Sequence, residues 1–130
     1  MGHDYSVDLG GTTRILRYTM AERRDLEGRF RKGLHSMLFE DVLPLNKKGI
    51  PTCGGIWDVQ VALVHSGIKW APGKKITEAH VGTWMETWIQ NNPDSHIVKI
   101  LAEAVKAVCE SGVLGKAIAI DSSEETEPGK

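Results

Sequence analysis

The chain has 130 residues, 41% of them hydrophobic and 25% charged, and sixteen Lys+Arg against seventeen Asp+Glu leave a formal net charge of −1. A chain of that size makes one domain and can bury roughly two thirds of its unfolded surface, so a single core forms without metals or disulfides. This composition excludes disorder of the whole chain, and the balanced charge excludes a globally basic nucleic-acid or membrane-surface binder.

No apolar run reaches the roughly 18 residues of a membrane-spanning helix. Residues 1–6 lack the charged-then-apolar order of a secretory signal, so none is expected. The two cysteines, Cys53 and Cys109, lie far apart. They read as free thiols of a cytoplasmic protein, with one disulfide as the alternative. No CxxC, HxxxH or HExxH spacing is present, so no metal and no cofactor is expected.

Tyr5, Val7 and Leu9 alternate with Ser6 and Asp8, Gly10-Gly11 permits a two-residue turn, and Thr12–Tyr18 is β-branched and aromatic. This predicts a β-hairpin over 5–18, with Ile15 and Leu16 both buried. Thr19, with Glu22 three residues on, has the form of a capping box. Leu26, Phe30, Leu34, Met37 and Leu38 then share one stripe, which predicts a helix over 20–43, ended by Pro44. Gly28 and Gly33 weaken that helix or mark close packing.

Residues 44–55 read as a Gly/Pro-rich loop. A helix over 56–68 follows, and its few polar positions make it the most buried. Thr77 caps a third helix over 77–91, whose apolar face is Val81, Trp84, Met85, Trp88 and Ile89, with Ile76 and Val81 placed as a hydrophobic staple. Asp94 or Ser95 caps a fourth over 95–111, with Ile97, Ile100, Leu101, Ala104, Val105 and Val108 at 3/4 spacing and Gly112 as its left-handed end. Residues 121–130 carry four acids against one lysine and read as a disordered tail. The expected fold is mainly α: one domain over 1–120, with an N-terminal β-hairpin packed against about four helices.

The five histidines lack Cys, Asp or Glu partners at ligand spacing. His65 reads as a packing residue, and His80 and His96 as capping or solvent-facing ones. No GxSxG or P-loop occurs, so no catalytic residues are assigned and no enzyme is expected. Arg23, Arg24, Arg29, Arg31 and Lys32 are interleaved with Asp25 and Glu27. They read as an ion-paired helix face, with nucleic-acid binding as the alternative.

Trp57, Trp70, Trp84 and Trp88 are half of the eight aromatic residues. Each indole buries roughly 150–250 Å², so the rings are either core or, where the core cannot hide them all, a partner-binding surface. Trp84, Met85 and Trp88 are the candidate groove, with Trp57 and Trp70 as further candidates.

Three segments carry a family resemblance. Arg14-Ile15-Leu16-Arg17-Tyr18-Thr19 runs directly into a helix. Val64-His65-Ser66-Gly67-Ile68-Lys69 ends the next one. Lys75-Ile76-Thr77-Glu78-Ala79-His80-Val81-Gly82 opens another, ahead of an amphipathic helix closing in Gly112. In this order they resemble the small tail assembly chaperones of long-tailed phages and gene transfer agents, over roughly residues 5–112, with a longer loop over 40–55 and more tryptophan. The resemblance implies a non-enzymatic helper in the host or bacterial cytoplasm. Such a helper binds the tape-measure protein and other tail proteins before tube polymerisation and self-associates as a homo-oligomer. It supplies no site residues to carry over. The alternatives are a structural tail or head-completion protein that stays in the virion, and a small nucleic-acid-binding regulator.

Overall fold

The hairpin forms where the alternation of side chains places it. In the computed structural model, which describes residues 5–50, 54–93 and 97–115, β1 (Tyr5–Leu9) and β2 (Thr12–Leu16) pair antiparallel, with Tyr5 opposite Leu16 and Leu9 opposite Thr12. Gly10 and Gly11 have φ of 65° and 78°, the left-handed pair that lets a two-residue turn follow the strand twist. Val7, Leu9 and Leu16 face the core. Ile15 does not share their burial: it falls on the other face and is only half covered.

Beyond the hairpin the domain is helical, as expected: helices hold 57% of the described residues. Thr19 caps α1 (Met20–Phe30) by the expected box: the Ala21 N–H donates to Thr19 Oγ1 at 3.2 Å, and the Thr19 N–H donates to Glu22 Oε1 at 2.6 Å.

The helix expected over 20–43 is divided. Arg31 turns left-handed (φ 57°), Gly33 is extended, and α2 restarts at Leu34–Ser36. The break is stabilised from within: the Glu27 carboxylate accepts from the Leu34 N–H at 2.7 Å and from Arg23 Nε at 3.1 Å, so it satisfies a donor that the new helix end exposes. A Cβ on Gly28 or Gly33 would meet nothing within 4 Å, which removes close packing as their reason.

α2 runs straight into a π-helical stretch, Met37–Val42, where the Leu43 N–H donates to the Leu38 carbonyl, five residues back, at 2.8 Å. Wider winding leaves carbonyls over, and the next helix takes them. The Ile56 N–H donates to Asp41 O at 2.7 Å and Gln60 Nε2 donates to Val42 O at 3.0 Å. Gln60, a buried polar side chain in an apolar helix, is there to satisfy that end.

α3 (Trp57–Ile68) is the central helix, buried along most of its length. The hairpin is pinned to it by two bonds: the Tyr18 hydroxyl donates to Leu63 O at 2.7 Å, and the Arg17 N–H to Gly67 O at 2.8 Å. Burial pushes the Tyr18 phenol far above its ordinary range, so it stays a neutral donor. α4 (Glu78–Asn91) starts at Thr77, whose Oγ1 accepts from the His80 N–H at 3.1 Å while His80 Nδ1 accepts from the Thr77 N–H at 3.3 Å. His80 therefore caps, as expected. α5 (Val98–Ser111) buries Ile100, Leu101, Ala104, Val105 and Val108 against β1 and α3 and ends at left-handed Gly112.

The arginine-rich face is largely ion-paired. Arg23 meets Glu27 at 3.1 Å, Lys32 meets Glu40 at 2.8 Å and Asp41 at 3.1 Å, and Arg29 bonds Glu78 across from α1 to α4. The Arg29 guanidinium holds the Glu78 carboxyl below its usual value of 4.5. A depressed folded value means the pair's contribution is present above that pH and fades as acid titrates the folded carboxylate. Both side chains are over a third exposed, which limits the effect to about 0.5–1 kcal/mol. Glu78→Gln should flatten the stability loss between about pH 5 and pH 3. Chemical denaturation across that range checks it, and parallel curves for the two proteins would count against the pair.

Cys53, Asp94, Ser95, His3, His96 and the acidic segment 121–130 lie outside the described residues. Cys109 is a half-buried free thiol whose pKa burial raises.

Candidate functional site

One surface forms where the hairpin turn, α4 and the loop after α3 meet. Its shape follows from helix geometry. Val81 and Met85, four residues apart, point inward and are fully buried. Trp84 and Trp88, also four apart, lie one step round the helix, about 100° away, and are half-buried. The apolar face of α4 is thus two adjacent lines. Met85, expected in the groove, belongs to the inner line and is sealed in the core.

Trp84 lies against the turn itself. A Cβ on Gly10 would stand 2.6 Å from its Cε2, so only glycine allows both the turn and the ring. The Arg14 guanidinium sits 4.3 Å from the centre of the indole, oriented by a 2.8 Å bond from Arg14 Nε to Leu9 O. His80 stacks on the same indole, centroids 5.9 Å apart and planes at 19°. Beside it, Trp88 closes a cleft of about 280 Å³ with Leu9, Gly10, Trp84, Thr87 and Asn91. Ile89, 39% exposed, extends the apolar character of α4 outward.

Trp70 flanks the other side of the hairpin. It is 39% exposed, its indole N–H donates to Ile15 O at 2.9 Å, and Arg17 lies 4.1 Å over its ring. A cleft of about 320 Å³ runs between this loop and β2, and it shares Arg14, Ala71 and Pro72 with a third, of about 300 Å³, that continues to Lys74, Lys75, His80 and Trp84. Trp57 is half-buried at the start of α3, packed on the core, and does not line these clefts. The structure therefore brings Trp70, Trp84 and Trp88 around the hairpin and leaves Trp57 apart.

His65 proves to be a packing residue: its Nε2 is 2.8 Å from Ile76 O and ties α3 to the approach of α4. Among the described residues, no three His, Cys, Asp or Glu side chains come together as a metal ion would require. No helix among them is long and apolar enough to cross a membrane. Sequence reasoning missed Gly10, Arg14 and Arg17 as parts of this surface. Their pairing with indoles joins positions far apart in the chain, and no local pattern announces it.

No family model matches the chain, and no curated protein and no solved structure was found similar to it.

Proposed function

We propose that this chain is a tail assembly chaperone of a phage or gene transfer agent, which binds the tape-measure protein, self-associates, and makes or breaks no covalent bond. The observation that supports this most is the gathering of three partly exposed indoles, Trp70, Trp84 and Trp88, around one hairpin. Tryptophan is among the residues in which protein–protein binding energy concentrates once a partner covers them. Aromatic surfaces also accept varied sequences, as a chaperone for a long, partly apolar helical client requires. The ion pairs of Arg23, Arg29 and Lys32 weigh against the same helix face serving nucleic acid.

Co-expression with a tape-measure protein, the long, helix-rich product expected to be encoded beside this chain, tests the proposal. The expected outcome is a soluble complex of the two, and absence of the chain from purified particles. Retention in the particles favours a structural virion protein, and no complex at all removes the chaperone reading. Sedimentation at several concentrations should show more than the monomer; monomer alone throughout would remove self-association.

A further inference from the structure

We propose that the outer edge of β2 and the cleft beside it form a docking groove for an extended, acidic polypeptide segment, added to the hairpin as a third strand; this rests on the protein-binding reading above and names its partner's chemistry. The register supports an open edge. A two-residue turn makes Leu9 and Thr12 a hydrogen-bonded pair, and pairs alternate from there along the ladder. The main-chain groups of Thr13 and Ile15 therefore point away from β1. Two bonds mark that same edge: Ile15 O accepts from Trp70, and further along the chain the Arg17 N–H donates to Gly67 O. Nearer the turn, the Thr13 N–H and C=O and the Ile15 N–H have no partner among the described residues. An unpaired edge of this kind is a template for a strand.

The groove along it has the lining that a strand's side chains need. Ile15, Ile68, Trp70, Ala71 and Pro72 form its apolar wall. Through Arg14 it opens into the neighbouring cleft, where Lys74, Lys75 and His80 join Arg14 and no carboxylate lines the wall. Arg17 adds a further cation over Trp70. Lys69 is left out, since it pairs with Asp25 at 3.8 Å. Apolar side chains of an incoming strand meet the wall, and acidic ones meet Arg14, Lys74 and Lys75. A nucleic acid fits less well. The indoles on which bases would stack already carry Arg14, His80 and Arg17, and a base has no use for a free strand edge.

The test uses the full chain and two labelled peptides, one alternating Val and Glu, the other Val and Lys. Thr13→Pro removes the outward N–H at an edge position, where proline is tolerated. Thr13→Val keeps that N–H and loses only the Thr13–Asp8 hydroxyl bond of 2.7 Å. The Lys74→Glu/Lys75→Glu pair reverses charge on exposed loop residues and remains usable should the proline variant fail to fold. The acidic peptide should bind wild type and Thr13→Val alike, and bind Thr13→Pro and the charge-reversed variant about tenfold or more weaker. The basic peptide should not bind. Equal binding of the two peptides, equal binding by all variants, or binding of a single-stranded oligonucleotide in place of the acidic peptide would overturn the groove. Capture of the tape-measure protein by the same variants separates the two ideas. Capture that ignores Lys74, Lys75 and Thr13 sinks the groove and leaves the chaperone. Peptide binding without any capture does the reverse.

Discussion

Gly67→Ala should destabilise the protein by about 3 kcal/mol, although alanine is normally the better helix former by about 1 kcal/mol. Gly67 lies in the last turn of α3 beneath the hairpin. An added Cβ would stand 2.5 Å from the Tyr18 hydroxyl oxygen and 2.8 Å from Leu16 Cδ2. Neither atom can move cheaply. Tyr18 is 6% exposed and its hydroxyl is held by Leu63 O, and Leu16 is 5% exposed. Displacing the ring leaves a buried hydroxyl unpaired, which costs about 1–3 kcal/mol beyond the overpacking itself. Gly28→Ala is the contrast. It sits inside α1 with open space around its missing Cβ, so the change should stabilise by about 0.5–1 kcal/mol. Thermal or urea unfolding of both variants checks the pair of signs. A Gly67→Ala protein as stable as wild type would mean that the hairpin is not docked on α3 as described.

The second large effect separates two neighbours on α4. Met85→Ala empties a fully buried site and should cost about 2–5 kcal/mol of stability. Trp88→Ala removes a ring that lines an open cleft. It should leave a folded protein and weaken partner binding by about 30-fold or more, the scale of an interfacial tryptophan. Unfolding midpoint and partner affinity measured on each variant distinguish the roles. If Trp88→Ala loses stability as Met85→Ala does and still binds normally, the ring is core and the cleft has no part in recognition.

Much of the architecture is legible in the sequence because local signals agree with the tertiary outcome. The Gly10-Gly11 turn, the Thr19 and Thr77 caps, the buried face of α5 and the left-handed Gly112 each rest on chemistry within a few residues. The failures are non-local. Leu26, Phe30 and Leu34 keep helical spacing across a break, because the energy that ends α1 comes from Glu27 capping the Leu34 N–H, which periodicity does not register. The π-helical stretch after Ser36 depends on Ile56 and Gln60, some fifteen or more residues on, to take its spare carbonyls. Met85 reads together with Trp84 and Trp88 in the sequence because all three are apolar on one helix. An apolar arc wide enough to hold two lines contains both a core and a surface, and spacing alone does not say which line faces inward. The surface's remaining parts, Gly10, Arg14 and Arg17, join it only through the packing of the hairpin against α4 and the Trp70 loop.

The claim on which all of this depends is that the indoles around the hairpin meet another polypeptide. The most direct measurement is the affinity of wild-type and Trp88→Ala protein for the proposed client, a tape-measure protein, with both proteins first shown to be folded at the assay temperature. The account predicts tight binding by wild type and a loss of about 30-fold or more in the variant. Equal affinities, or no binding by either, would contradict it.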